Sequence, residues 1–262
     1  LFSARQSYLQ FLFDVLGLPF LPNFNDFQLK SRTRIDEKNE ITIVGIGAID
    51  RFSLNTGIED PDEIQKFILS YLPVNEQWNY TIGAVYKHFR ENSYQTFVMS
   101  RNMLDNSSYK YPENDESLPK ILDYQSREME NKMRFENTSR IKGFKFNVGA
   151  ELEFSKYTNS TYQKRFTGNQ LVTIDYDSEL IFRQWGFFGQ LSKDVWNDLL
   201  SLSVGFRIDA NDYSKSMMNM FDQFSPRISA AYKLSYNFSI NANAGSYYQI
   251  QIGRASCRER VC

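Results

Sequence analysis

Cysteine and histidine are nearly missing from this chain: among 262 residues there are two cysteines and one histidine, His88. A lone histidine excludes a His-built metal site and argues against a Ser-His-Asp or Cys-His enzyme, for which His88 would be the single base available. Neither sign of charge dominates. Thirty Lys+Arg face 31 Asp+Glu, a formal charge of -1, so the surplus of cations that neutralises nucleic-acid phosphates is absent. No apolar run approaches the ~18 residues of a membrane helix, and the mean hydropathy is -0.49. No Gly-rich phosphate loop or nucleophile elbow occurs, and no catalytic activity is expected. Aromatic residues, by contrast, are abundant, at 16% with 22 Phe and 16 Tyr, and a 42% hydrophobic content excludes wholesale disorder. A chain rich in aromatics, polar on average and without a spanning helix is the composition of a β-barrel, where only every second residue meets lipid.

Both cysteines, Cys257 and Cys262, fall in the final run Ile252-Gly-Arg-Ala-Ser-Cys-Arg-Glu-Arg-Val-Cys262. This run reads codon by codon as one frame of a common short-read sequencing adapter, with Gln251 at the junction. Residues 251–262 are therefore expected to be a processing scar and residues 1–250 the protein. Setting aside the scar's three arginines and one glutamate leaves 27 basic against 30 acidic side chains and no cysteine. Disulfide and thiol chemistry then drop out. With Leu1 in first place, the chain is expected to be an interior piece of a longer protein.

Alternation of apolar and polar residues dominates the rest. Phe144, Phe146, Val148, Ala150, Leu152 and Phe154 interleave with Lys145, Asn147, Gly149, Glu151 and Glu153. The pattern recurs at 200–210, 238–245 and 78–87, and more weakly at 24–35, 40–53, 94–103, 123–140, 179–193 and 222–234. About ten strands follow, most of them longer than the five or six residues usual in soluble sheets and close to the ~9–11 that cross a bilayer. Their links alternate in length. Short ones lie at 36–39, 90–93, 141–143, 194–197 and 235–237, and long ones at 54–75, 104–122, 159–178 and 212–221. That rhythm predicts an all-β, antiparallel, up-and-down transmembrane barrel with tight turns at one end and large loops at the other. One loop is expected to hold a helix, with Asp60 as N-cap, Pro61 at N1 and Ile64, Phe67, Ile68 and Tyr71 on an apolar face packed on its own loop.

Two stripes are too charged for lipid: Glu128, Glu130, Lys132, Arg134 and Glu136, and Asp26, Gln28, Lys30, Arg32 and Arg34. A central charge in hydrocarbon costs ~2–4 kcal/mol, so both stripes must face water. Trp78, Tyr86, Phe89, Tyr94, Tyr157, Trp185 and Tyr232 lie near strand ends, as interfacial girdles do, and His88 joins that set. Arg207, Asp209 and Arg227 are expected on the lumen side near the outer rim. They are the candidates for touching a substrate, with salt bridges to the wall or to whatever fills the lumen as the competing reading. Asp175, Asp177 and Glu179 offer carboxylates for calcium but lack the glycine and spacing of a calcium loop.

Three runs are similar to the barrel of TonB-dependent outer-membrane receptors. They are Leu202-Ser-Val-Gly-Phe-Arg-Ile-Asp-Ala-Asn-Asp212, Met218-Asn-Met-Phe-Asp-Gln-Phe-Ser-Pro-Arg-Ile-Ser229 and Asn243-Ala-Gly-Ser-Tyr-Tyr-Gln249. Leu72-Pro-Val-Asn-Glu-Gln-Trp-Asn-Tyr80 and Ser3-Ala-Arg-Gln-Ser-Tyr8 resemble Bacteroidetes members. The resemblance implies a 22-stranded barrel of which residues 1–250 form an incomplete part, and an N-terminal plug with a TonB box outside them. It implies energised uptake of a scarce nutrient such as an iron chelate, cobalamin or a glycan, without a cofactor. The implied partners are the TonB–ExbB–ExbD complex, outer-membrane lipid and a surface lipoprotein, with no nucleic acid among them. The alternative is a passive, porin-like or adhesive barrel.

Overall fold

The computed structural model describes residues 1–168 and 170–248. These form one sheet of eleven antiparallel strands in sequence order. The strands are β1 (Phe2–Gln6), β2 (Phe20–Arg34), β3 (Asn39–Leu54), β4 (Val74–Arg90), β5 (Ser93–Lys110), β6 (Leu122–Ile141), β7 (Phe144–Thr167), β8 (Gln170–Val195), β9 (Leu200–Asn211), β10 (Ser225–Ser235) and β11 (Phe238–Gly245). β1 and β11 are not paired with each other, so the barrel is open. The up-and-down expectation holds. The one strand missed is β1, whose five residues alternate too little to register. The adapter-like run at 252–262 lies outside the described residues.

The turns at one end are short: 35–38, 91–92, 142–143, 196–199 and 236–237. Lys142 and Gly143 both have positive φ, as a two-residue type I′ hairpin requires. In the first turn the side-chain amide of Asn39 (2.7 and 2.8 Å) and the Lys38 N–H (2.7 Å) donate to Asp36. Together they hold its carboxyl below the ordinary aspartate range. The turn therefore has this support at neutral pH and loses it as pH falls through the lowered value. Long connections at 7–19, 55–73, 111–121 and 212–224 gather at the other end. One expected long loop, 159–178, is instead a continuation of β7 to Thr167 and of β8 from Gln170. Its Ser, Thr, Tyr, Asp and Ile residues keep the period of two above the apolar band, and polar side chains on both faces masked it as loop.

Two helices lie in the loop layer. α1 (Leu9–Val15) is only seven residues long, too short to show a helical period. α2 (Glu63–Tyr71) is capped by Asp62, not by Asp60, which has φ 54°. Asp62 accepts from the Gln65 N–H at 2.7 Å while the Gln65 side chain accepts from the Asp62 N–H at 2.8 Å, a reciprocal capping box. Neighbouring loops hold this helix. Gln65 donates to the Gly17 carbonyl at 2.8 Å, and Asn114 donates to the carbonyls of Leu69 and Leu72. Ile64, Phe67 and Tyr71 stay exposed, so the apolar face does not pack on its own loop as expected.

Among the described residues the buried apolar side chains are Tyr157, Phe182, Ala210 and the two prolines Pro19 and Pro22. A sheet of this size without a core has its apolar partner outside the protein. The register carries the two faces across the sheet without a break. Ile43, Ala84, Met99, Met133, Leu152 and Trp185 lie on one face through successive pairs. Thr42, Val85, Val98, Arg134, Glu151 and Gly186 lie on the other, and the two charged stripes share it. The apolar face points to lipid and the charged face to the lumen. Trp78, Tyr86, Trp185 and Tyr232 are outward girdle residues. Phe89, Tyr94 and Tyr157 fall on the inward face, a correction that comes from strand phase: aromatics line the lumen near strand ends as well. His88 faces outward, its Nδ1–H donating to Asn39 Oδ1 at 2.8 Å.

Single cysteines in β9 of the full-length receptor test this sidedness. Those at Ser201 and Ser203 are expected to react with water-soluble thiol reagents. Those at Leu202 and Val204 are expected to be shielded and quenched by lipid-borne probes, and Val204→Arg to lower stability by ~2–4 kcal/mol. Equal quenching on both faces would overturn the assignment.

Candidate lumen site

The inward face of β6, β7 and β9 carries a chain of ion pairs. Arg134 binds Glu136 at 2.8 Å and approaches Glu151 at 3.9 Å. Arg207 reaches Glu151 at 3.3 Å and Asp209 at 2.8 Å. A step toward the loops, Lys132 bridges Glu130 at 2.8 Å and Glu153 at 3.3 Å. Cross-strand placement explains the pairing: Glu151 stands directly opposite Arg134, and Glu153 opposite Lys132. The carboxylates are well covered, with side-chain exposures of 11% for Asp209 and 12% for Glu153. Charges this far from water need their partners. Gly186 is opposite Asp209, and a Cβ there would overlap Asp209 Oδ1. The missing side chain is what lets the carboxylate lie down against Arg207.

Beside this chain lies an inward depression of about 310 Å³ edged by Arg134, Asn147, Gln190, Ser203, Arg207 and Arg227. Phe188 forms part of its wall, with the Arg134 guanidinium 4.5 Å from the ring centre. Arg207 and Arg134 are neutralised by the glutamates and Asp209. Arg227 is different. It lies opposite Gly205 and Gly245, which have no side chains, and its guanidinium rests 4.7 Å over the Tyr247 ring. Among the described residues no carboxylate is within ion-pair distance of it. A larger hollow of about 540 Å³, lined by Leu191, Leu202, Val204, Ile228 and Ala230, opens on the outward face. Its lining suits acyl chains rather than a polar solute.

All three candidates thus share the lumen face, but only two of them touch each other. Arg207 and Asp209 form a wall-to-wall pair, and Arg227 sits apart. Glu151, Arg134 and Glu136 belong to the same chain of contacts; Arg134 and Glu136 were legible as part of a water-facing stripe, but not as partners of Glu151 and Arg207. Alternation reports which face a residue takes, not which residue it meets across the ladder. Asp175, Asp177 and Glu179 follow one another on one strand face at ~6–7 Å steps, and no metal-ready cluster occurs among the described residues.

Residues 10–255 match the family described as TonB dependent receptor-like, beta-barrel. The chain belongs to that family. It is similar to the copper transporter OprC, with 13% identity and a TM-score of 0.60, covering 87% of this chain and 37% of that one. It is similar as well to the ferripyoverdine receptor of the Pseudomonas aeruginosa outer membrane, solved with ferripyoverdine bound (12% identity, TM-score 0.60, 92% and 36% covered). The ferric citrate transporter FecA in its unliganded form gives 11% identity and a TM-score of 0.58, with 91% and 38% covered. No curated protein matches the chain. At these identities the likeness is one of fold, and the chain spans a little over a third of each of these receptors. The family and these neighbours are receptors and transporters, and the receptor barrel belongs to the outer membrane of a Gram-negative cell.

Gly186→Ala in the full-length receptor is expected to push Asp209 off Arg207 and cost ~1–3 kcal/mol, the usual range for an overpacked site, read by denaturant unfolding. Gly83→Ala, whose Cβ comes no nearer than 3.4 Å to its closest neighbour, the Met99 carbonyl oxygen, serves as the control and is expected to cost far less.

Proposed function

We propose that this chain is part of the wall of an energised transporter for a scarce nutrient, an iron chelate, cobalamin or a glycan. On this reading the complete barrel has 22 strands, and a plug bearing a TonB box fills it and draws on the TonB–ExbB–ExbD complex. The observation that carries the reading is the inward face. Five buried side-chain polar atoms are without a hydrogen bond among the described residues: Asp26 Oδ1, Asn102 Oδ1, Thr138 Oγ1, Asn147 Oδ1 and Asn211 Nδ2. By the strand register all five lie on that face. Buried polar atoms in native proteins find partners, and a hydrated, plug-filled lumen supplies them where lipid cannot. In this reading Arg207 and Asp209 brace the wall, while Arg227, which makes no ion pair among the described residues, is available to a plug carboxylate or an anionic substrate.

The test begins with the complete gene and uptake of labelled iron chelates, cobalamin and oligosaccharides by cells with and without TonB. Uptake of one class that stops without TonB, or with a protonophore, is expected. Uptake that persists without TonB would identify a passive barrel instead. Arg227→Ala is expected to weaken uptake about tenfold, equivalent to ~1.4 kcal/mol, with unchanged barrel yield. Arg207→Ala is expected to reduce the folded yield itself.

A further inference from the structure

The hairpin of β7 and β8 stands above its neighbours, and its two sides are treated differently. β6 accompanies β7 up to Gln163. On the other side β9 stops at Asn211, opposite Gln184, leaving Gln170–Phe182 of β8 without a paired strand beyond β7, although the Phe182 ring still packs against Tyr213 at the lower end. Asp212 closes the ladder at Arg183: its N–H donates to the Arg183 carbonyl at 3.1 Å, and its carboxylate accepts from the Arg183 N–H at 2.6 Å. Both backbone groups of Arg183 therefore point toward the β9 side. By the two-residue period of a strand, so do those of Leu171, Thr173, Asp175, Asp177, Glu179 and Ile181. None of these groups has a partner among the described residues. Because β7 and β9 are both present, this edge is not a consequence of the open barrel; later strands would join at β11.

Soluble sheets guard such edges with proline, lysine, bulges or cover. The stretch from Leu171 to Ile181 contains no Pro, Lys or Gly and extends for roughly 33 Å of flat ladder. The outward side chains beside it include Asp175 and Asp177, both exposed, while Glu179 is held by Lys156 at 2.8 Å. On the other face Val172 and Tyr176 are exposed apolar side chains. A second copy of the chain would set acidic rows against each other, which is destabilising. An extended peptide with Lys or Arg at alternate positions and apolar residues between them satisfies both rows and the open backbone.

We propose that the bare edge of β8, on the loop side of the apolar band, binds an extended basic-apolar polypeptide by strand addition. The site is independent of the lumen reading and does not need the barrel to be energised. The test uses the full-length receptor in detergent and a fluorescent peptide of alternating Lys and Val. A second copy carries N-methyl groups at the alternate positions that face β8, and a third replaces Lys by Glu. The parent peptide is expected to bind, the N-methylated copy at least tenfold more weakly, and the acidic copy not at all. Asp177→Pro removes one N–H from the open edge without touching the β7 ladder, and is expected to weaken binding tenfold or more. The double change Asp175→Lys, Asp177→Lys should shift the preference toward the acidic peptide. Amides at 171, 173, 175, 177, 179 and 181 should gain exchange protection when the parent peptide is bound. Equal binding of the parent and N-methylated peptides, no binding of the parent, or unchanged affinity in a folded Asp177→Pro receptor would each overturn the proposal. The peptide comparison decides even where that variant fails to fold.

Discussion

Backbone pairing is the constraint from which the rest of this structure follows. In hydrocarbon no water is available to an N–H or C=O, so a chain that crosses a bilayer as strands must pair each strand with its neighbours along the whole crossing. From β2 to β9 the registers run strand to strand without a bulge. With the ladder holding the sheet together, side chains are released from building a core, which is why so few apolar residues among those described are buried. The outward row can be as apolar as lipid demands, and the inward row as charged as the lumen allows.

The inward charges are placed by that same ladder. Glu151 stands opposite Arg134, and Arg207 comes within reach of both Glu151 and its own strand neighbour Asp209. A wall lined with both signs neutralises itself and leaves little field of its own. Arg227 departs from this because glycines flank it on both adjacent strands. Arg227 makes no ion pair among the described residues, so its guanidinium is left for a contact that the wall does not supply.

Above the lipid the demand for a complete ladder lapses, since water can satisfy an unpaired edge. β8 runs past the end of β9 in that zone, and backbone that would be intolerable a few residues lower is stable there. The loop layer follows the same logic. α2 and the connection around Asn114 are tied by hydrogen bonds to carbonyls rather than by a core, and apolar side chains such as Phe67 remain uncovered.

All strands but β1, with their order and direction, were legible in the residues, because apolar and polar side chains alternate with the period of a strand and link lengths alternate with the period of a hairpin. The facing of Asp26–Arg34 and of Glu128–Glu136 was legible for the same reason, charge being excluded from lipid. What escaped was whatever depends on a second strand or on the absence of a lipid boundary. Polar residues on both faces hid the extension of β7 and β8. Phe89, Tyr94 and Tyr157 could not be assigned to a face by proximity to a strand end, and Asp60 lost the cap to Asp62 because the capping box needs Gln65 in reach. The sequence by itself determined the two-sidedness of the wall, since each residue's solvent preference is its own property. Only the tertiary structure decided which charges neutralise one another, that Arg227 has no carboxylate to pair with among the described residues, and that β8 outruns its neighbour, since register and strand ends are properties of pairs of strands.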